Sequence, residues 1–557
     1  MKQLKTIRVF CGALMLLSMT SCSDFLTESP KGSMNADEFY KTKDGFEYLN
    51  KAVYEPLRWV TRNHDAHFYG TDLFTVSGFS DQTFLTHFND YHKNSLNASN
   101  GAIFLLFTDS YSLIQRANTC INRANSADIT EAIFKQRTSE ARFLRAYAYF
   151  TLVEEFGKVP LLTEEVKVPS FTAELASEKN IYAFMVSELE AIHPLLPAKD
   201  GGQEWGRVNR AAAKTLLSKV YLTRAYKTFA ETGDAQKSFD LAKDIIDNEK
   251  YTLLPDFADV FKATNEVNNE VIFSVQWGTN VELNWVGNND YSIFMPYLQN
   301  IPGLTSKTNG VAQRMNGNFA PTRFAYRLFD RSWDTRYDKT FRSAYIANEK
   351  GTSPQFGAVN VGDTVIYCTY PDKPWTTAQK ATKKYFVVNI DEYYEKKLYD
   401  LYSNFPYPGI DKFKDTKALY DDNGNLGTRD HFVYRLGEVY LIAAEAALKA
   451  GKPDVGLPYI NEIRKRAAIN KTTYPMLTTL TIDNILDERG RELLGEESRF
   501  MELKRTGKLK ERAITNGANE RAARAGYYND NYLYRPLPFD WMRYLRNTVV
   551  QNPGYDY

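Results

Sequence analysis

A neutral sugar is gripped by an aromatic face against its C–H side and by planar polar side chains against its hydroxyls. Two irregular stretches of this chain place those residue types together. Residues 64–92 hold His67, Tyr69, Asp72, Phe84, Asn89, Asp90 and Tyr91. Residues 277–316 hold Trp277, Trp285, Asn288, Asn289, Tyr291, Tyr297, Arg314 and Asn316. Trp285, in ELNWVGNND, stands among polar residues and two positions before Gly287, which makes it the first choice for a ligand contact. Trp277 closes the apolar run VIFSVQW and reads first as a core residue, with a ligand contact as the alternative. Asp72 and Asn89 also have a local alternative, because loop Asp and Asn side chains often satisfy their own backbone. Trp375, in YPDKPWTT, is a further exposed-aromatic candidate, whereas Trp333 reads as structural.

Carboxylates raise a second chemistry. Glu488 and Glu492 are four residues apart and share a helical face. Paired acids are what a glycosidase needs across a sugar bond. Arg489, Arg491 and Arg499 lie beside them, so an ion-pair network is the simpler reading. Arg142, Arg145, Glu154 and Glu155 invite the same reading, as a solvated rim or as interhelix pairs, and Glu438 and Glu445 sit where nearby Arg could meet them. No glycine-rich phosphate loop opens a βαβ unit, and no Cys/His set has zinc spacing. DNGNLGTRD, residues 422–430, lacks the acid set and terminal Glu of an EF-hand loop.

The elements that must hold these residues are mostly helical. The 557 residues are 43% hydrophobic and 25% charged, a globular mixture with a formal charge of +1 that gives no case for nucleic-acid binding. Apolar residues recur every three or four positions from Phe46 to Leu57. Helices are expected at about 102–125, 131–156, 177–195, 208–230, 235–249, 434–450, 456–468 and 481–505. The pairs 208–230/235–249 and 434–450/456–468 look like tetratricopeptide-type hairpins, with Ala-rich helices that permit close approach. Residues 252–430 differ: Asn, Gly, Pro, Tyr and Trp are frequent, and strands are expected at 271–277 and 385–390. The last thirty residues are expected to wrap over the helices.

The chain begins with an address. Lys2, Lys5 and Arg8 precede an apolar run too short to span a bilayer, which reads as a signal peptide over residues 1–21. LSMTSC, ending at Cys22, resembles a bacterial lipobox, in which the Cys becomes acylated after cleavage. Loss of the leader takes the formal charge from +1 to −2. Cys120 and Cys368 then remain, with nothing in the sequence to bring them together.

Several segments in order carry a family resemblance: CSDFLTESPKG from Cys22, IQRANTCINRAN from Ile114, RFLRAYAYFTLVEEFGKVPLL from Arg142, WGRVNRAAAKTLLSKVYL from Trp205, YRLGEVYLIAAEA from Tyr434, INEIRKRA from Ile460, ILDERGRELLGEESRFMELKRTG from Ile485 and QNPGY from Gln551. Together they resemble the SusD/RagB family of surface lipoproteins. The resemblance implies a mostly α protein: a tetratricopeptide-like helical hairpin scaffold with a long loop-rich region containing short strands. It implies a tether at 22–40 and one body at 41–557. In that body 41–251 and 431–510 form the scaffold, 252–430 the ligand-binding region and 511–557 the C-terminal wrap. It also implies a noncatalytic receptor, lipid-anchored in the outer membrane through Cys22 and facing the cell exterior. Such a receptor captures oligosaccharide or polysaccharide and passes it to a SusC-like TonB-dependent transporter. No cofactor is implied; a structural calcium ion stays open, with no ligands assignable. Peptide or glycopeptide capture is the alternative within this class. A surface glycoside hydrolase and a purely structural surface protein are the alternatives outside it.

Overall fold

A computed structural model describes residues 35–62, 64–76, 88, 96–199, 204–280, 282, 284, 287–298, 301–305, 319–396, 406–421, 424–516, 530–546 and 548–555. Cys22 and the leader lie outside them. The N-terminal tether, expected to run to residue 40, already contains a helical turn at Ala36–Phe39, capped by Asn35.

Among the described residues, nine helices form the main row of the scaffold: α1 (Lys43–Val53), α2 (Glu55–Arg62), α3 (Gly101–Ala124), α4 (Glu131–Phe156), α5 (Glu178–Ile192), α6 (Arg210–Arg224), α7 (Asp234–Asn248), α8 (Leu436–Lys449) and α9 (Pro453–Ala467). Their starts are written locally. Thr42, Asn100, Thr130, Ser177 and Asn209 each accept a backbone N–H of the first turn. Each helix from α3 onward packs on its predecessor, so the row behaves as stacked hairpins. Ala211, Ala212 and Ala213 are buried on α6, and Ser218 and Ser238 exchange hydrogen bonds of 2.8 Å where α6 crosses α7. Small side chains make that close approach feasible.

The row is interrupted in sequence but not in space. Helix α7 packs directly on α8, although residues 249–435 intervene. That insertion enters and leaves through one neck. Strand β1 (Val271–Val275) pairs antiparallel with a strand at His431–Arg435, which runs straight into α8. Within the insertion, β2 (Ala344–Ile346), β3 (Thr364–Cys368) and β4 (Phe386–Val388) form a small sheet, and the neck strand His431–Arg435 is β5. The insertion holds more strand than the two segments expected, because short hairpins such as Gly351–Ser353 with Gly357–Val359 lack a long alternating pattern.

The helix expected over 481–505 is two: α10 (Ile482–Glu492) and α11 (Arg499–Arg505). Gly495 between them has φ +78°, a left-handed conformation that ends α-helical continuity. Part of the C-terminal segment packs against α4. Arg535 is enclosed there, with its Nε 3.1 Å from Glu155 of α4. Cys120 and Cys368 are separate, free and buried. Burial pushes the Cys120 thiol up to about 12 and that of Cys368 further, so neither is a reactive thiolate.

Candidate ligand-binding site

A cleft of about 800 Å³ opens between α1–α2, the turn at 204–207 and the end of β1. Its walls carry Trp59, Trp205, Trp277, Tyr48 and Tyr54; its charged groups are Lys51, Arg58, Arg207, Glu55, Glu204 and Glu282. Three of the chain's seven tryptophans meet there.

Each indole is held by a different element. On α2, Trp59 donates its Nε1–H to Glu55, one turn back, at 2.8 Å. Trp205 donates its Nε1–H to Asp430 at 2.8 Å. Trp277 is 9% exposed and bonds the same carboxylate through its backbone N–H, at 3.1 Å. Its ring lies beneath the Arg58 guanidinium, 4.8 Å from the centroid, a cation–π arrangement. Arg58 Nε also donates to the Gln276 carbonyl at 3.0 Å, and Gln276 Nε2 donates to the Trp205 carbonyl at 3.1 Å. Gly206, at φ +78°, is required by this turn: a Cβ there would run into the Gln276 side chain.

Two acids of the cleft, Glu55 and Glu204, are committed to cations. Glu55 pairs with Arg116 at 2.9 Å. Glu204 pairs with Arg207 at 2.8 Å and Arg137 at 3.3 Å. Burial opposes ionisation of Glu204, but Arg207 and Arg137 outweigh it and hold the carboxyl below its usual range. Arg207 reaches Glu140 at 2.7 Å, and Glu140 also accepts from Tyr54 at 2.9 Å. Glu204 is thus held ionised, not protonated as a general acid would be. The arrangement presents rings, fixed donors and a polar rim.

Of the residues singled out in the sequence, Trp277 is the one the structure brings to this cleft. Trp285, Arg314, Asn89 and Tyr91 lie outside the described residues. Asp72 is corrected: it is fully enclosed, and Arg499 grips both carboxylate oxygens at 2.8 Å, so it is an internal ion pair with no face for ligand. Tyr291 is corrected likewise; it is buried against Ala418. Tyr297 is half-buried and does not line the cleft. Asn289 is half-buried, and its Oδ1 is enclosed without a hydrogen bond among the described residues. Trp375 packs beside the small sheet, its ring 5.3 Å from that of Tyr367 and its backbone tied to Asn389 at 2.8 Å. Trp333 is structural, under Arg464 at 4.6 Å.

The acid pairs are also resolved. Glu488 and Glu492 are fully buried, and Arg336 bridges them at 2.7 and 2.8 Å. Arg142 and Arg145 pair with Glu188, so they are interhelix partners and not a solvated rim. Glu445 meets Arg505 at 2.8 Å, and Glu438 meets Lys219. Among the described residues, no group of three His, Cys, Asp or Glu is placed to hold a metal ion, and no helix is long and apolar enough to cross a membrane.

Comparison with known proteins decides the family. The model of the SusD family matches residues 269–555, and a second, described as starch-binding and associating with the outer membrane, matches residues 24–222. This chain belongs to the SusD family. A SusD-like protein of Formosa agariphila, P25, is 24% identical over 91% of this chain and 91% of its own. The starch-binding protein SusD of Bacteroides thetaiotaomicron is 25% identical over 77% of this chain and 74% of its own. Among solved structures, a surface glycan-binding protein A from B. thetaiotaomicron, in complex with laminarihexaose, superposes with a TM-score of 0.67. It is 20% identical and the match covers 92% of this chain and 99% of that one. A laminarin-binding SusD-like protein gives 0.66 at 21% identity, covering 93% and 100%. The tetratricopeptide-like helical fold expected from the sequence is therefore the family's.

The sequence reading missed Trp59, Trp205, Tyr48, Arg58 and Asp430. Trp59 had a signal. It stands off the buried stripe of α2, Leu57 and Val60, where an indole needs another reason to be. Trp205–Gly206 had one too, an indole joined to a glycine just before a helix.

Proposed function

We propose that this SusD-family chain captures glycan at the cell surface in the three-tryptophan cleft and passes it to a TonB-dependent outer-membrane transporter. The observation that carries the reading is the convergence of Trp59, Trp205 and Trp277 from three distant segments, each anchored by its own hydrogen bonds. Rigid rings with fixed polar neighbours bind sugar at low entropic cost. Relatives described as starch-binding and laminarin-binding support a glycan as the ligand class. Anchoring through acylated Cys22 fits a family described as associating with the outer membrane.

Catalysis has no support in the geometry. The four-apart pair Glu488/Glu492 is sealed and saturated by arginine, and the cleft acids Glu55 and Glu204 are paired with arginine. Isothermal titration against laminarihexaose and a broad glycan panel tests the reading. Saturable heats without product formation are expected; no heat with any glycan removes it. The charged rim of Lys51, Arg58 and Glu282 is the feature that favours the second reading, peptide capture. Tight binding of a peptide library with silence on the glycan panel would select it. Co-purification with a TonB-dependent transporter from detergent-solubilised outer membrane, lost in Cys22→Ala cells, is the expected result for the delivery step.

A further inference from the structure

One carboxylate underlies two walls of the cleft. Asp430 stands at the neck of the insertion, immediately before β5. Its Oδ2 accepts the Trp205 indole N–H at 2.8 Å and the Ser274 hydroxyl at 3.3 Å. Its Oδ1 accepts the Trp277 backbone N–H at 3.1 Å. Its own backbone N–H is fixed by Glu266 at 3.3 Å, and Glu266 also receives Arg429 at 3.1 Å. Trp205 precedes α6 in the scaffold, whereas Ser274 and Trp277 belong to the insertion. Asp430 therefore pins a scaffold ring to an insertion ring across the site. The neighbouring residues extend the same spine. Asn288 Nδ2 donates to the Arg429 carbonyl at 2.9 Å, Asn284 Nδ2 to the Gly427 carbonyl at 3.1 Å, and His431 Nδ1 lies 2.7 Å from Asp290.

We infer that Asp430 is the positioning residue of the ligand cleft: its two oxygens set the relative orientation of the Trp205 and Trp277 walls without touching ligand. The inference rests on the cleft being the ligand site.

The chemistry requires the ionised form. A carboxylate offers acceptor lone pairs on both oxygens; a carboxylic acid turns one oxygen into an O–H donor. Protonation thus takes away one of the two anchors. Burial raises the tendency of Asp430 to hold a proton, against the hydrogen bonds from Trp205, Trp277 and Ser274 and the nearby Arg429. The charged groups facing it are Arg429, Glu266 and, from α2, Arg58. Glu266 is pushed upward too, chiefly by burial, so a variant must separate the two acids. Because the native value is raised, affinity is full at neutral pH and declines on acidification earlier than an ordinary aspartate would allow.

The test uses the full mature chain and two readouts. The first needs no ligand. The indole N–H resonances of the seven tryptophans are recorded by 15N–1H spectroscopy from pH 7.5 downward, with Trp205 assigned through Trp205→Phe. The Trp205 resonance is expected to titrate in the wild type and to be displaced and pH-insensitive in Asp430→Asn. A Trp205 resonance that neither titrates nor moves in the variant overturns the inference, and the wild-type titration alone can show this if the variant does not fold. The second readout is affinity for the tightest glycan of the panel. Asp430→Asn is expected to weaken it at least tenfold at pH 7.5, with a cooperative melt retained, and to flatten its acid dependence. Equal affinity and equal pH profile in variant and wild type also overturn it. If the wild type binds no glycan, the functional reading falls while the resonance experiment still judges the anchor.

Discussion

Trp277 and Asp72 were both singled out by type and neighbourhood, and they part company on what encloses them. Trp277 lines the cleft under Arg58, so Trp277→Ala removes an aromatic wall and a cation–π partner. Aromatic contacts of this kind contribute about 0.5–1.5 kcal/mol beyond area, which corresponds to a loss of up to about tenfold in glycan affinity. Trp59→Ala is expected to do the same, and isothermal titration reads both; unchanged affinity in the pair would vacate the cleft. Asp72→Ala should behave in the opposite way. It strips Arg499 of a two-pronged partner inside the protein, a change that costs about 3–5 kcal/mol for a buried pair. Chemical denaturation should therefore show a large stability loss, while the refolded fraction binds glycan as before. Residue type alone could not separate these roles, because the partner of Asp72 is 427 positions away in sequence.

Helices were legible because their information is local: an apolar recurrence of three or four, a capping side chain in front, a glycine or proline behind. Thr130 before α4 and Gly157 after it mark that helix within a single stretch of sequence. Where one residue's backbone decides, periodicity misleads. Gly495 sits inside a pattern that continues from α10 to α11, and its positive φ divides them. The cleft was far less legible, since α2, the 204–207 turn and the end of β1 meet only after the scaffold and insertion have docked. The turn offers a direct check on that joint. Gly206→Ala forces a side chain into the left-handed region, at about 1–2 kcal/mol, and presses on Gln276, whose amide holds the Trp205 carbonyl. A lower urea midpoint and weaker glycan binding are expected together. A variant with the lost stability but full affinity would show that the turn does not shape the site.

At the scale of the whole molecule, the insertion is fastened to the helical row by buried charge. Glu270, Arg336 and Arg435 come from the insertion; Arg466, Glu488, Glu492 and Glu496 come from the scaffold end. Burial opposes the charge on Glu488, but Arg491, Arg336 and Arg464 prevail and hold its carboxyl at about 2. Burial likewise opposes Glu492, which Arg466, Arg435 and Arg336 hold well below the usual range. Glu154 of α4, against the same penalty, is held at about 2 by Lys227 and Lys504. Each native value lies below that of the unfolded chain. The stability these acids contribute is therefore complete above the ordinary carboxylate range and drains away as pH falls from about 4.5 toward 2. Arg336→Met removes the cation common to Glu488 and Glu492. It should cost about 3–5 kcal/mol at pH 7, where the acids left behind are buried without it. It should cost less at pH 3, where protonation has begun to neutralise them. Guanidinium denaturation at the two pH values measures the difference. A penalty of equal size at both would mean that Arg336 joins insertion to scaffold by shape and not by charge. A penalty that shrinks with acid makes electrostatics the joint on which the cleft's three walls depend.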